Sequence, residues 1–270
     1  MPELPEVETA RRSLEPHVVG RRIIRVRVRE RRLRWPVTPG LAARLSGLTV
    51  HAIRRRGKYL LFELDRGHLL VHYGMTGSLS VCPPTRRAGK HDHVDLALDD
   101  GTTLRFHDPR RFGAVLWVAE LGRHPLLASI GLEPLEGGFT AQALARLARG
   151  KRQPVKSFLM DGRMVAGVGN IYASEALFAA GVRPSTAAGR LSRARWERVA
   201  RSIVDTLSQA IEAGGSTLRD FVGGEGKPGS YQERHAVYGR EGQPCPKCGG
   251  PIGHTRQSGR STFYCPRCQR

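Results

Sequence analysis

The sequence predicts an α+β protein with several domains, in which a helix and antiparallel strands are followed by helices and a cysteine module. Short strand-like segments before residue 120 recur about every ten residues with turn residues between them, which favours an antiparallel sandwich or barrel over βαβ units. Beyond residue 138 the apolar residues take the 3–4 spacing of helices. Four of the five cysteines form two close pairs near the C-terminus.

The N-terminal elements are one amphipathic helix and a series of short strands. The helix places Leu4, Val7, Ala10, Leu14 and Val18 on one apolar face. Strands are predicted at residues 22–30, 49–55, 59–64, 68–73, 78–81, 94–98, 103–106 and 114–119. We therefore assign residues 1–130 to an N-terminal helix plus antiparallel β-sandwich, and the glycine-containing residues 131–138 to a linker.

The rest of the chain divides into a helical domain and a cysteine module. Helices are predicted at residues 141–149, 154–160 and 171–180, and the longest begins after Ser192 and ends at Gly214. The glycine-rich residues 221–229 predict a mobile loop. The predicted boundaries are 139–235 for the helical domain and 236–270 for the cysteine module.

The charge of the chain indicates an acidic partner. Lysine and arginine total 44 against 24 acidic residues, which gives a net charge of +20. The basic residues are spread along the chain, so a solvated face explains any one cluster but not the total. Nucleic acid is the expected partner. A membrane is disfavoured, because the sequence has no long apolar run and no signal peptide.

The cysteines predict a zinc site. Cys245 and Cys248 form one CxxC pair, Cys265 and Cys268 form a second, and sixteen residues separate the pairs. This spacing fits a tetrahedral site with four thiolates, which leaves no open position and makes the Zn²⁺ structural. Disulfides are the alternative, and the absence of an export signal argues against them. Cys82 has no nearby partner in the sequence and is interpreted as a buried, inert thiol.

The N-terminus carries a possible nucleophile. An initiator methionine before a small residue is commonly removed, which would leave Pro2 with a free secondary amine suited to Schiff-base chemistry. Glu3 and Glu6 are three residues apart and lie on one face of a helix beside this amine, where they could act as acid and base. An ordinary helix start with early acidic residues explains the same residues, and from these residues alone it is the preferred interpretation.

Four further motifs each allow a functional and a structural interpretation. Residues 167–170 form a glycine turn before a helix, which could bind a phosphate or only connect two helices. Residues 108–113 place Phe112 beside arginines, as a wedge for a base stack or as a core residue of a β-turn. Lys58 could contact phosphate or lie solvated at the surface. His91 favours a phosphate contact or a hydrogen bond at a strand edge over a metal site.

Taken together, these motifs resemble those of the bacterial formamidopyrimidine-DNA glycosylase family. The resemblance runs from PELPEVE at the start through RRRGKYLL, GMTGSL, KHDHVDL, DPRRFG, GVGNIYASE and GKPG to the four cysteines, in the family's order. It covers essentially the whole chain. It implies a β-sandwich domain, a helix–two-turn–helix domain and a zinc finger, and a bifunctional enzyme of base excision repair.

The resemblance also implies a reaction. The substrate would be an oxidised purine, 8-oxoguanine or a formamidopyrimidine, flipped out of damaged double-stranded DNA. Pro2 would attack the sugar carbon, Glu3 would donate the proton that opens the sugar ring, and the abasic strand would be cleaved by β- and δ-elimination. Lys58 would contact DNA phosphate and assist the chemistry. Arg260 would act in the last elimination.

Further residues are implied as DNA contacts. Met75, Arg110 and Phe112 would fill the void left by the flipped base and probe the opposite base. His91, Lys151 and Asn170 would contact phosphates, and we count Glu6 with the residues facing the DNA. The implied protein is a cytoplasmic monomer associated with the nucleoid through DNA, with one Zn²⁺ and no nucleotide cofactor.

Two alternatives remain open from the sequence. An endonuclease VIII-like glycosylase has the same fold and terminal proline but prefers oxidised pyrimidines, and PELPEVE with the Met75, Arg110 and Phe112 set argues against it. A non-catalytic zinc-ribbon protein that binds nucleic acid explains the charge and the cysteines. It leaves Pro2 beside Glu3 without a purpose.

Overall fold

A computed structural model describes residues 2–216 and 229–270 in two compact units. The first unit contains Met1–Ala128 together with Ala213–Ser230, and the second contains Ser129–Glu212 and Tyr231–Arg270. The domain boundaries predicted from the sequence stay a prediction. No helix in the described part of the chain has both the length and the apolar character needed to cross a bilayer.

The first unit is a β-sandwich with a long helix at its start. Its helices are α1 (Leu4–Val18), α2 (Leu41–Leu45) and α3 (Pro125–Ala128). Its strands are β1 (Ile23–Val28), β2 (Val50–Arg56), β3 (Tyr59–Leu64), β4 (His68–His72), β5 (Ser78–Cys82), β6 (Asp92–Leu98), β7 (Thr103–His107) and β8 (Ala114–Val118). They form two antiparallel sheets, in the orders β1-β6-β7-β5 and β2-β3-β4-β8.

The core of this unit lies between the two sheets and under α1. Phe62 and Leu69 come from one sheet, and Leu96 and Phe106 from the other. The apolar face of α1 predicted from the sequence joins the same cluster at Val7, Ala10, Leu14 and Val18. Several of these strands have runs of buried residues instead of a strict alternation, and they could be recognised from the sequence as short apolar segments bounded by turn residues.

The second unit is helical and ends in a small hairpin. Its helices are α4 (Ala141–Ala148), α5 (Val155–Met160), α6 (Asn170–Ala179) and α7 (Arg193–Glu212), and its strands are β9 (Gly253–Gln257) and β10 (Arg260–Tyr264). Thr140 caps α4 by accepting a hydrogen bond from the Ala143 backbone nitrogen at 3.1 Å. Trp196 of α7 is buried against Phe158 of α5, with ring centroids 5.5 Å apart.

The structure confirms the predicted fold class, with antiparallel sheets in the first unit and helices followed by a cysteine hairpin in the second. It adds the short helices α2 and α3, which the sequence analysis did not identify. Both have five or fewer residues, too few to display a periodic apolar pattern. The predicted mobile loop at 221–229 lies outside the described residues, apart from Gly229.

Candidate functional site

The N-terminus holds Pro2 directly before a buried pair of carboxylates. Glu3 is the N-cap of α1, and Glu6 is the third residue of the helix. The Glu3 backbone nitrogen donates a hydrogen bond to Glu6 Oε2 at 2.7 Å, and the Glu3 side chain accepts from the Glu6 backbone nitrogen. This reciprocal capping box fixes both side chains, and each is only 3% exposed. The sequence had suggested that both carboxylates lie on one face of a helix, but Glu3 is the extended residue before the helix and only Glu6 is helical.

Glu6 also connects the N-terminus to the segment that returns to this unit after α7. The Ser216 backbone nitrogen donates to Glu6 Oε1 at 2.8 Å. Gly215 has a φ of +82°, and a Cβ atom there would lie 3.0 Å from the same carboxylate oxygen. Glycine therefore allows both the turn and the close approach. Both carboxylate oxygens of Glu6 thus accept hydrogen bonds from backbone nitrogens, one at Glu3 and one at Ser216.

Lys58 lies in the two-residue turn that joins β2 to β3. The strands pair Arg56 with Tyr59, which leaves Gly57 and Lys58 at the tip. Gly57 has a φ of +56°, as the first residue of a tight hairpin turn often does. Burial, together with the charges of Lys58 and Arg34, lowers the pKa of His72 to about 4, so its imidazole is neutral at physiological pH. The turn therefore presents a cation beside a neutral ring.

Two turns present the exposed residues Met75 and Phe112 side by side. Each of these side chains is 38% exposed, which is unusual for large apolar residues. A Cβ atom at Gly74 would lie 2.4 Å from the Phe112 carbonyl carbon, so only glycine lets the two turns approach this closely. The Arg110 guanidinium lies over the Phe112 ring at 4.7 Å. Phe112 is therefore a surface residue, and the alternative that it belongs to the core is wrong.

Asp108 holds these two turns together. It is completely buried, and its Oδ1 accepts a hydrogen bond from Thr76 Oγ1 at 2.9 Å. Its Oδ2 accepts from the Gly113 backbone nitrogen at 2.8 Å, and its backbone carbonyl is 2.8 Å from His93 Nε2. One carboxylate thus links the turn of Met75 to the turn of Phe112.

His91 lies immediately before β6, among other imidazoles. Its ring centroid is 6.4 Å from that of His93 and 6.0 Å from that of His107. The Asp92 carboxylate is hydrogen-bonded within this unit. Its Oδ1 lies 2.8 Å from His107 Nδ1, and its Oδ2 accepts from the Gly89 backbone nitrogen at 2.8 Å. Among the described residues, the four cysteines form the one group of three or more possible metal ligands, and the interpretation of His91 as a phosphate contact stays a prediction.

In the second unit, Asn170 begins α6 after the predicted glycine turn. Gly167 has a φ of +75°, and Gly169 is the N-cap residue of the helix. Asn170 Nδ2 donates to Tyr238 Oη at 3.3 Å, while Oδ1 is buried and has no hydrogen-bond partner among the described residues. The first backbone nitrogens of α6 lie at this end of the helix, where an N-terminus favours an anion such as a phosphate.

Glu175 fixes the segment that follows Tyr231 to α6. Its carboxylate accepts hydrogen bonds from the backbone nitrogens of Ala236, Val237 and Tyr238 at 2.8, 3.0 and 2.7 Å. Burial raises the pKa of Glu175 above its usual range, although these three donors oppose the shift. Tyr238, the partner of Asn170, is held in place by this carboxylate.

Lys151 is exposed in the turn after α4. Its backbone nitrogen donates to the Ala148 carbonyl at 2.9 Å, and its carbonyl accepts from the Gly189 backbone nitrogen at 3.0 Å. A Cβ atom at Gly189 would lie 2.9 Å from that carbonyl. The backbone of Lys151 is therefore fixed while its side chain points to solvent, an arrangement that suits a phosphate contact.

The four cysteines form one compact cluster. The sulfur atoms of Cys245, Cys248, Cys265 and Cys268 all lie within 4.8 Å of one another. The Sγ atoms of Cys245 and Cys268 are 3.9 Å apart and those of Cys248 and Cys265 are 3.5 Å apart, close to the ~3.8 Å expected around tetrahedral Zn²⁺. The donors present fit one structural zinc ion.

Arg260 begins the second strand of the cysteine hairpin. It is exposed and follows a turn in which Ser258 and Gly259 both have positive φ. The next residues are held by Lys156 of α5, which is 1% exposed and donates from Nζ to the Ser261 carbonyl and to Thr262 Oγ1, both at 2.8 Å. The hairpin that carries Arg260 is thus fixed to the helices of its own unit.

Comparison with family models identifies three consecutive matches. Residues 1–115 match the formamidopyrimidine-DNA glycosylase N-terminal domain, and residues 130–222 match the H2TH domain of the same enzymes. Residues 242–270 match the zinc finger found in FPG and IleRS. The chain belongs to the formamidopyrimidine-DNA glycosylase family. The resemblance noted in the sequence is confirmed.

Relatives of known name or structure support this membership over the whole chain. A protein of Methylococcus capsulatus named formamidopyrimidine-DNA glycosylase is 55% identical, and the alignment covers 100% of both chains. The crystal structure of the MutM (Fpg) protein from Thermus thermophilus is 42% identical and covers 99% of this chain and 98% of its own, with a TM-score of 0.89. A Lactococcus lactis Fpg variant in complex with DNA containing Fapy-dG is 33% identical, covers 100% of both chains and has a TM-score of 0.92.

The buried residues that hold the exposed side chains in place were not identified from the sequence. Asp108, Lys156 and Glu175 are buried. Each forms hydrogen bonds that fix a segment carrying an exposed or ligand-facing residue of the site. A charged residue inside an apolar run was the available signal. Lys156 in VKSFLM and Glu175 in YASEAL both fit that description.

Proposed function

We propose that this chain excises oxidised purines, such as 8-oxoguanine and formamidopyrimidines, from duplex DNA and then cleaves the abasic strand. The observation that carries the proposal is the N-terminus, where Pro2 precedes the buried, mutually hydrogen-bonded pair Glu3 and Glu6. The first carboxylate directly follows Pro2 in the chain, where it can transfer a proton during attack by the Pro2 amine. Family membership and the solved complex of a relative with Fapy-dG-containing DNA support the same substrate class.

The proposed reaction begins at the Pro2 nitrogen after removal of Met1. This nitrogen forms a bond to C1′ of the damaged nucleotide as the bond from C1′ to the base breaks, and the base leaves with a proton. Glu3 donates a proton to the ring oxygen, which opens the sugar and gives a cationic Schiff base. Loss of a C2′ proton then expels the 3′ phosphate, and a second elimination expels the 5′ phosphate.

The remaining residues bind DNA in this proposal. Met75, Arg110 and Phe112 replace the flipped base in the stack, because apolar and cationic groups at the tips of two joined turns can enter a duplex. Lys58, His91, Lys151 and Asn170 contact phosphates, which supply most of the affinity. Arg260 binds phosphate and assists the last elimination.

A borohydride trap tests the proposal. The protein is mixed with duplex DNA carrying 8-oxoguanine opposite cytosine, borohydride is added, and the covalent complex is mapped by mass spectrometry. We expect one adduct on an N-terminal Pro2. Pro2→Gly should bind the same duplex but lose most strand cleavage, whereas the exposed Pro36→Gly should behave as the wild type. Full cleavage by Pro2→Gly, or an adduct on a lysine, refutes the assignment.

A lesion panel separates this substrate class from the endonuclease VIII-like alternative. Duplexes with an oxidised pyrimidine should be cleaved more slowly than those with 8-oxoguanine or a formamidopyrimidine. The reverse order would favour the alternative. We also propose that the protein acts in the bacterial cytoplasm, on chromosomal DNA, since the relative from Methylococcus is bacterial.

A further inference from the structure

The outer face of one sheet carries an arginine groove that the proposed reaction does not use. The groove has a volume of about 590 Å³ and lies over β1, β6 and β7, with the loop between β5 and β6 as its wall. Arginines 25, 27, 29, 86, 87 and 105 line it, together with Ile24, Pro84, Ala88, Asp95, Ala97, Leu98, Gly101 and Thr103. None of the residues assigned to the DNA or to the chemistry is among them.

The floor of this arginine groove is a buried ion-pair network. Arg105 is 4% exposed and donates from Nε and Nη2 to the two carboxylate oxygens of Asp95, at 2.9 and 3.0 Å. Arg29 donates to Asp95 Oδ2 at 2.6 Å. Burial raises the pKa of Asp95, but the two arginines outweigh it and leave this pKa below its usual range. Arg29 and Arg105 are thus committed to the fold.

The wall of the groove is held by the same buried side chain. Arg105 Nη1 donates to the backbone carbonyls of Arg86 and Arg87, at 3.1 and 3.2 Å. These two bonds fix the loop over the sheet and leave the side chains of Arg86 and Arg87 exposed. The concave shape therefore depends on an internal arginine and is already formed without a ligand.

Four arginines of the groove remain available to a ligand. In the described chain, Arg25, Arg27, Arg86 and Arg87 have no carboxylate within 4.0 Å. Arg25 pairs with Ala97 and Arg27 with Asp95 across β1 and β6, so both side chains point away from the core. Residues two apart on a strand are roughly 6.7 Å apart, which is also the spacing of alternate side chains in an extended peptide.

The composition of the groove distinguishes between polyanions. Its described lining contains no aromatic residue, so it offers no surface on which unpaired bases could stack. It contains apolar side chains instead, including Ile24, which is 54% exposed. We propose that this groove binds an extended acidic segment of a protein partner, with alternate carboxylates on Arg25 and Arg27.

Fluorescence anisotropy with two labelled peptides tests this proposal. One six-residue peptide alternates glutamate and valine, and the other has the same composition in two blocks. Because the protein carries a net charge of +20, both peptides feel its general attraction, and only the alternating one matches the arginine spacing. We expect the alternating peptide to bind at least about fivefold more tightly. Equal affinities overturn the proposal.

Charge-matched variants locate the binding. Arg25→Gln with Arg27→Gln should weaken the alternating peptide by about tenfold, since two guanidinium–carboxylate contacts are lost. Arg193→Gln with Arg201→Gln removes the same charge from exposed positions of α7 and should change binding by less than about twofold. If both double variants lose the same affinity for the alternating peptide, the attraction is diffuse and the proposal is overturned.

Two further readouts separate the groove from the DNA site. The Arg25 and Arg27 variant should keep its affinity for duplex DNA with an abasic-site analogue within about twofold. A tenfold loss there assigns the groove to nucleic acid and overturns the proposal. In the unmodified protein, the alternating peptide should slow hydrogen exchange in residues 84–88, and protection only elsewhere also overturns it.

Discussion

Asp108 should control both the stability of the first unit and its action on DNA. The carboxylate is buried and links the turn of Met75, through Thr76, to the turn of Phe112, through Gly113. Asp108→Ala removes both acceptors and keeps the backbone. Asp108→Asn keeps one acceptor for the Gly113 nitrogen and offers an amide donor to the Thr76 hydroxyl, which can also accept.

The expected cost follows from the groups left without partners. A buried donor that loses its hydrogen bond costs about 1–3 kcal/mol, so two such groups make Asp108→Ala about 2–6 kcal/mol less stable. Asp108→Asn keeps both contacts in weaker form and should cost about 1 kcal/mol. Asp100 provides a matched control, because it accepts from the Thr102 nitrogen and hydroxyl at 2.9 and 2.7 Å on an exposed turn. Water can replace Asp100, so Asp100→Ala should cost less than about 1 kcal/mol.

Urea unfolding and single-turnover base excision measure the two effects. We expect stability to fall in the order wild type, Asp100→Ala, Asp108→Asn, Asp108→Ala. Because Met75 and Phe112 lose their common support, Asp108→Ala should also slow excision of 8-oxoguanine more than it weakens binding to abasic-site DNA, where no base remains to be extruded. If Asp108→Ala costs no more than Asp100→Ala, or excises at the wild-type rate, the linking role is refuted.

Four other changes have defined outcomes. Glu6→Gln cannot accept from both Glu3 and the Ser216 nitrogen, so borohydride trapping on abasic DNA should slow, whereas the exposed Glu15→Gln should trap normally. Chelation of Zn²⁺, or Cys248→Ser, should unfold the cysteine hairpin and abolish DNA binding, and readdition of Zn²⁺ should restore only the unsubstituted protein. Lys156→Met removes the two contacts behind Arg260, so late strand cleavage measured on gels should fall more than base release. The pKa of His72 is about 4 in the folded protein and 6.5 in the unfolded chain. The unfolded chain therefore binds the proton first, and the folded state loses stability as the pH falls from 6.5 toward 4. Between pH 6.5 and 5 this loss is about 2 kcal/mol, and urea unfolding of His72→Gln should lack it.

Local patterns explain why the secondary structure could be predicted from the sequence. Short apolar segments bounded by turn residues mark the strands, and the start of α4 is marked by its Thr140 cap. The cysteine spacing predicted the zinc site for the same reason, because its ligands come in two local pairs. The order of the strands in each sheet could not be predicted this way, since β1 pairs with β6 and β5 with β7 across long stretches of chain.

The parts of the candidate site that could not be predicted depend on contacts between distant residues. Thr76 and Asp108 are 32 residues apart, Lys156 and Thr262 are 106 apart, and Glu6 and Ser216 are 210 apart. The sequence identified the exposed members of the site by their residue types. For the buried groups that position them, the sequence offered at most a charged residue inside an apolar run, as at Lys156 and Glu175. What such a residue holds is set by its partners, which lie far away along the chain.

The arginines fall into a buried group that is paired with carboxylates and an exposed group that is not, a difference that the net charge does not show. Arg55 and Arg105 are buried and paired with Glu8 and with Asp95, so they hold structure together and would lose more by binding a ligand than they gain. Arg25 and Arg110 have no carboxylate within 4.0 Å in the described chain and face solvent. Arg110 lies over an exposed aromatic ring that can enter a base stack, and Arg25 lies beside aliphatic side chains in a groove. Both guanidinium groups carry the same charge. We therefore expect their neighbours to decide whether an unpaired arginine binds DNA or an acidic peptide.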